Sequence, residues 1–194
     1  MARFPPETTA SGYAVRLTKR LALRRFLQSE ESHLVYLEDD VVVTEDFDDT
    51  VAEAMRRDHE VVFLGGGHHT PPEGEGRWRR CRKTFNNHAL LLNRVGARKL
   101  LRILGTWTEA WSDRELQAAM GRGAIDAWCV DPWVAFQRAT NSDNWGNLDC
   151  VELGQIAPPM MLPDDLAVLD AALNFSKVVV EYGSGGARCT SVRG

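Results

Sequence analysis

The sequence has no apolar stretch near the ~20 residues that a membrane-spanning helix needs; runs such as 178–180, within KVVVEY, are only a few residues long. It has no C-x-x-C pair. Its four cysteines, Cys81, Cys129, Cys150 and Cys189, are widely spread, which favours reduced thiols over a disulfide framework or a structural zinc site. It has no basic excess either: 23 Lys and Arg stand against 27 Asp and Glu, a net charge of −4. That balance argues against a general nucleic-acid or anionic-membrane surface, so any basic patch must be local. The opening MARFPPETTASG has no apolar signal-peptide core, which makes the cytoplasm the expected compartment. Fixed-period repeats and low-complexity segments are absent as well.

What remains is an ordinary globular composition: 194 residues, 44% hydrophobic and 26% charged. This suits one α/β domain, or one domain plus a fragment, but not two complete enzyme domains.

Residues 14–27 (AVRLTKRLALRRFL) read as an amphipathic helix. Ala14, Leu17, Leu21, Ala22 and Phe26 are expected on its buried side, and Arg16, Lys19, Arg20 and Arg24 on a solvated basic side. HLVYLEDDVVV comes next, an apolar strand over 33–37 that runs straight into Glu38, Asp39 and Asp40. A helix over 51–57 and a buried strand over 61–64 give a strand-helix-strand pattern that predicts a parallel sheet. GGGHHTPPEGEG is expected to be a loop, with His68 and His69 in it. Further strands are predicted over 88–93 and 125–130, and helices over 94–104 and 112–120. Residues 146–162 lose periodicity and read as a linker; beyond them a helix is expected over 163–174, then a strand ending in a glycine-rich turn, KVVVEYGSGG.

Three consecutive acids after an apolar strand repel one another. They need exposure, a basic partner or a hard cation with oxygen ligands. A divalent cation there would also bridge to diphosphate oxygens and neutralise the charge on a departing nucleoside diphosphate. A helix cap or solvated turn is the competing reading.

LVYLEDDVVVTEDF (35–47), FNNHALLLNRVGARKLL (85–101) and DPWVAFQRATNSDN (131–144), in that order and at those separations, resemble the bacterial glycosyltransferase family 25, which includes lipopolysaccharide-core sugar transferases. The resemblance covers about residues 10–145. It implies a GT-A-like, Rossmann-like nucleotide-sugar domain and transfer of a hexose, galactose at family level, from a nucleotide-diphosphate sugar to a glycan or lipopolysaccharide-type acceptor. It also implies a divalent metal, Mn²⁺ or Mg²⁺. Position by position, Asp40, Glu38 and His88 are its implied metal ligands, with Asp39 alongside in a catalytic role. Asp113 is the implied base for the acceptor hydroxyl, with a helix cap as its alternative. Glu38, Gln137, Ser142 and Asp143 are implied substrate contacts. For His88, a structural histidine bonded to a carbonyl stays open.

All six tryptophans lie between residues 78 and 145, and some could line an acceptor site while the rest serve the core. Arg77, Arg79, Arg80, Arg82 and Lys83 form a basic run around Trp78 that could attract an anionic acceptor or simply be solvated. A glycolipid acceptor would imply peripheral association with the inner face of a membrane; nucleic acid is not an expected partner.

Near the end of the chain, VVVEYGSGG with the preceding helix resembles the first motif of class I S-adenosylmethionine-dependent methyltransferases, with Glu181, Gly183, Gly185 and Gly186 as matched positions for the cofactor. Only about residues 160–186 carry this likeness. The succeeding ARCTSVRG does not read as the helix such a site requires. Domains are therefore expected at 10–145, a linker at 146–162, and a truncated methyltransferase-like stub at 163–194. Only 37 residues precede Glu38, and they read as a leader and one helix rather than the nucleotide-binding first strand of a GT-A fold. An N-terminally truncated transferase is one expectation. The alternative is an inactive fragment, or a sugar-nucleotide-binding remnant, of a larger two-domain protein.

Overall fold

A computed structural model describes residues 10–106, 111–137, 177–183 and 186–192. In chain order the elements are α1 (Ala10–Gln28), β1 (His33–Glu38), β2 (Val41–Val43), α2 (Phe47–Met55), β3 (Val61–His68), β4 (Trp78–Arg80), β5 (Thr84–Asn93), α3 (Arg94–Ile103), α4 (Ser112–Gly121), β6 (Ala127–Val130), β7 (Ala135–Gln137), β8 (Lys177–Gly183) and β9 (Gly186–Val192). The fold is mixed α/β.

Seven strands form one sheet in the order β4-β6-β3-β5-β1-β8-β9, and β2 and β7 pair as a separate ribbon. The parallel pattern expected from strand-helix-strand holds only for β3 against β6. Between β1 and β3, β5 is inserted antiparallel to both, with Tyr36 opposite Leu90 and Phe63 opposite Leu90 on its other side. β1, β3 and β6 therefore all run the same way, and β1 and β3 end on the same side of the sheet.

Period-two alternation divides the core between the two faces of the sheet. Leu34, Tyr36, Phe63, Leu90 and Leu92 pack with Ala22, Leu23 and Phe26 of α1, Leu100 of α3 and Leu116 of α4. Val35, Val62, Leu64, Ala89 and Leu91 pack with Phe47, Val51 and Ala54 of α2 and with Val134 and Ala135 leading into β7. Full burial of each such aliphatic side chain stabilises by about 1.5–3 kcal/mol.

Helix α1 forms as expected but is turned about its axis. Leu17 and Leu21 face solvent, 40% and 53% exposed, whereas Arg16 and Lys19 are buried. The buried positions 12, 16, 19, 23 and 26 alternate by four and three residues, the spacing of a single helical face. Two basic side chains can lie on that face because each meets an acid. Arg16 Nη1 is 2.8 Å from Glu115 Oε2 of α4, and Lys19 Nζ is 3.6 Å from Glu38 Oε1 at the end of β1.

The glycine-rich segment after residue 64 is not a loop. β3 continues through Gly65, Gly66 and Gly67 to His68, and a Cβ on Gly65 would collide with the Ala135 carbonyl oxygen and His88 Nε2. Glycine serves there by letting β7 and β5 approach the strand closely. At the other edge of the sheet, β8 pairs with β1 and β9 with β8, with Gly183 opposite Gly186. The segments on either side of residues 184–185 thus pair as antiparallel strands, and no helix follows β8 among the described residues. Strand β9 occupies the place where a nucleotide-type cofactor motif would have its helix N-terminus. The expected linker over 146–162 and helix over 163–174 lie outside the described residues.

Candidate functional site

Alternation along β1 sends Glu38 to the face of Tyr36, beneath α1. The chain then turns through Asp39 and Asp40 into β2. The three acids thereby stand at the C-terminal end of a central strand of the sheet. They do not share one environment. Asp39 is exposed. Glu38 is held by Lys19, whose ammonium also lies 5.0 Å above the centre of the Tyr36 ring.

Asp40 is only partly exposed, and its Oδ2 accepts a hydrogen bond from Gln137 Nε2 at 3.1 Å. Gln137 in turn accepts through Oε1 from Asn86 Nδ2 at 3.3 Å. Gln137 is positioned by the β2–β7 ribbon, in which it stands opposite Val41. Asn86 reaches it from β5 with φ of 57°, a left-handed conformation that asparagine tolerates better than most residues. Burial, reinforced by the negative charges of Glu38 and Asp39, pushes the Asp40 carboxyl from 3.8 up to about 6, against the opposing hydrogen bonds from its own backbone N–H and from Gln137. Its second oxygen, Oδ1, is buried without a hydrogen-bond partner.

His88 is buried in β5 with Nε2 3.3 Å from the Ala135 carbonyl oxygen. Burial holds its pKa below 6.5, and the charge of Glu38 opposes that shift. A neutral imidazole donating from Nε2 to a carbonyl is the structural role that the sequence leaves open, and it makes Nδ1, which has no hydrogen-bond partner, the acceptor nitrogen. Among the described residues, no three His, Cys, Asp or Glu side chains are grouped to hold a metal ion. The donor set nonetheless suits a hard cation at one point: Asp40 offers an unengaged carboxylate oxygen, with exposed Asp39 next to it.

The structure thus brings Glu38, Asp39, Asp40, His88 and Gln137 to one end of the sheet. It does not bring Asp113 to them by any bond. Asp113 sits in the first turn of α4, where its Oδ1 accepts from the Arg114 backbone N–H at 2.9 Å. The residue at the cap itself is Trp111. Ser142, Asp143 and Gly185 lie outside the described residues, as do Trp107 and Trp145. Glu181 stands in β8 opposite Leu34, and Gly183 ends that strand.

Other candidates take structural places. His68 ends β3, with Nδ1 2.8 Å from Thr84 Oγ1 and its ring stacked on Trp133 at 4.7 Å; His69 stacks on Phe85 at 4.3 Å. Trp78 is a core residue whose indole N–H donates to Glu53 Oε1. In the basic run around it, Arg77 pairs with Asp46, Arg79 with Asp131, Arg80 with Asp126 and Arg82 with Glu73. The four arginines of that run are therefore ion-paired, and only Lys83 is exposed without an ion pair among the described residues. Cys81 and Cys129 are free and buried, and the Cys129 thiol is pushed up by its Cys81 neighbour and by burial, which fits unreactive thiols.

Two residues of this site escape a reading of composition and motif. Lys19 reads as part of a solvated face; positions 12, 16, 19, 23 and 26 share one side of the helix, but only the acids that meet Arg16 and Lys19 turn that side inward. Asn86 lies within FNNHALLLN, but nothing in the sequence marks it as the link to Gln137. No family model and no curated protein sequence matches the chain. No helix among the described residues is long and apolar enough to cross a membrane.

Proposed function

We propose that the chain is a glycosyltransferase domain of GT-A-like design, related to glycosyltransferase family 25. It passes a hexose from a nucleotide-diphosphate sugar to a glycan or glycolipid acceptor. The observation that carries the reading is Asp40. It is a partly buried carboxylate at the C-terminal end of β1, tied by one oxygen to Gln137, orphaned at the other, and flanked by two further acids. An ionised carboxylate held in that setting is costly to the fold, and a divalent cation would offset the cost.

In this reading Asp40 and Asp39 hold Mn²⁺ or Mg²⁺, which when bound supplies charge neutralisation for the donor diphosphate. Glu38 balances Lys19, and the Asn86–Gln137 relay fixes the rotamer of Asp40. His88 supports the backbone of β7, and with it Gln137.

Calorimetry of UDP-hexoses with the purified chain tests the reading, in Mn²⁺ and in EDTA. Binding that needs the cation and is lost in Asp40→Asn is the expected result, with slow donor hydrolysis as the sign of turnover. A folded chain that binds no nucleotide sugar under either condition overturns it. Cation-dependent binding with no hydrolysis or transfer would identify a sugar-nucleotide-binding module.

A further inference from the structure

Among the described residues, the large hydrophobic side chains that stand exposed are Leu17, Leu21, Val43 and Val95. Three of these four lie on α1 and α3. The two helices pack side by side, Arg94 at the start of α3 donating to the carbonyl oxygens of Leu27, Ser29 and Glu31 at the end of α1. Neither helix contains an Asp or a Glu, in a chain whose net charge is −4.

Four of their basic side chains are engaged inward: Arg16 with Glu115, Lys19 with Glu38, Lys99 with Glu60, and Arg94 with the carbonyls just named. Arg20, Arg24, Arg25, Arg98 and Arg102 make no ion pair among the described residues, and all but Arg20 are exposed. The contrast with the run around Trp78, where each of four arginines has an acid, is direct.

Helical spacing arranges the outward groups. Leu17, Leu21, Arg24 and Gln28 succeed one another at four, three and four residues along α1, with Arg20 and Arg25 flanking them, while Val95, Arg98 and Arg102 form the outward stripe of α3. Apolar side chains set among unpaired arginines are what an anionic phospholipid surface accommodates: guanidinium groups meet phosphates while leucines enter the acyl boundary. A nucleic acid would use the arginines and leave the leucines in water.

We propose that the outer face of α1 and α3 docks on an anionic phospholipid bilayer, holding the domain as a peripheral membrane protein. The inference goes beyond glycosyl transfer, and its test contains neither donor nor cation, so either idea can fail alone.

The test is flotation of the full chain with vesicles of phosphatidylcholine alone or mixed with phosphatidylglycerol, in EDTA. Binding is expected only to the anionic vesicles and to weaken several-fold between about 0.05 M and about 0.3 M salt. Each neutralised arginine lowers partition about fivefold, so Arg24→Gln with Arg98→Gln lowers it by about twenty-five-fold. Leu17→Ser with Leu21→Ser, which leaves the charge unchanged, also lowers it, whereas Arg79→Gln in the ion-paired run does not. Unchanged circular dichroism and urea midpoints show that the variants are folded. Three results overturn the proposal: no binding to anionic vesicles, equal binding by the Arg24/Arg98 variant, or full binding by the leucine variant. Tighter binding to duplex DNA than to vesicles, sensitive to the arginines but not the leucines, would assign the face to nucleic acid instead.

Discussion

Replacing Asp40 by asparagine is expected to stabilise the protein at neutral pH while removing its cation-dependent ligand binding. A carboxyl raised from 3.8 to about 6 binds its proton more tightly in the folded chain than in the unfolded one. Its favourable contribution is therefore fully present below about pH 4 and lost as pH rises to about 6, by about 3 kcal/mol in all. Asparagine keeps the acceptor for Gln137 Nε2 but places an amide N–H₂ where Oδ1 has no partner, at a cost of about 1 kcal/mol. The balance makes Asp40→Asn about 2 kcal/mol more stable than wild type near pH 7.5 and about 1 kcal/mol less stable below about pH 3, with the two curves crossing at about pH 4.5.

Urea unfolding of both proteins in EDTA at several pH values gives the difference, because acids remote from Asp40 titrate alike in both and cancel, leaving Asp40 and its coupled neighbours Glu38 and Asp39. A difference independent of pH, or a variant less stable at pH 7.5, would refute the argument that Asp40 is strained by burial and by its acidic neighbours. Adding Mn²⁺ at pH 7.5 is expected to raise the unfolding temperature of wild type and leave that of the variant unchanged.

The geometry dictates three further outcomes. Arg16→Met leaves Glu115 charged and buried without its partner, and is expected to cost about 3–5 kcal/mol by chemical denaturation; adding Glu115→Leu should recover much of that loss, and a strictly additive double variant would show that the pair is not coupled. Glu38→Gln strands Lys19 in the core and is expected to cost about 2–4 kcal/mol, the Tyr36 ring supplying part of the compensation; an unchanged urea midpoint would count against the buried ion pair. Gly65→Ala forces β7 and His88 away from β3, at a cost of about 1–3 kcal/mol; because Ala135 leads to Gln137, it should also weaken cation-dependent donor binding, and full binding by a folded Gly65→Ala chain would separate β3 from the site.

Much of the fold is legible in the sequence because period and length are local signals. The strands expected over 33–37, 61–64, 88–93 and 125–130 fall on β1, β3, β5 and β6, and the helices expected over 94–104 and 112–120 fall on α3 and α4, although β3 runs on to His68 and β5 begins at Thr84. Three features are not legible from one segment at a time. The direction of β5 depends on what it pairs with, so HALLLN reads as a strand yet says nothing about lying antiparallel between β1 and β3. Gly65, Gly66 and Gly67 read as a loop because glycine has no side chain to hold a strand. The reason for glycine is the approach of Ala135 and His88, residues remote in sequence. The facing of α1 is misread when hydrophobicity is weighed above charge pairing.

The last of these has the widest consequence for the site. Arg16 and Lys19 are buried because Glu115 and Glu38 are there to meet them, so the charged groups of α1 divide into two sets. Inward, Lys19 takes up Glu38, the first acid of the turn. Outward, Arg20, Arg24 and Arg25 stand beside Leu17 and Leu21. A helix with its hydrophobic stripe wholly buried could present arginines outward, but it could not also present leucines, and it could not reach Glu38 with a lysine. The rotation that conflicts with the simplest amphipathic reading is thus the feature that connects the acidic turn on one side of α1 to a basic, apolar outer face on the other.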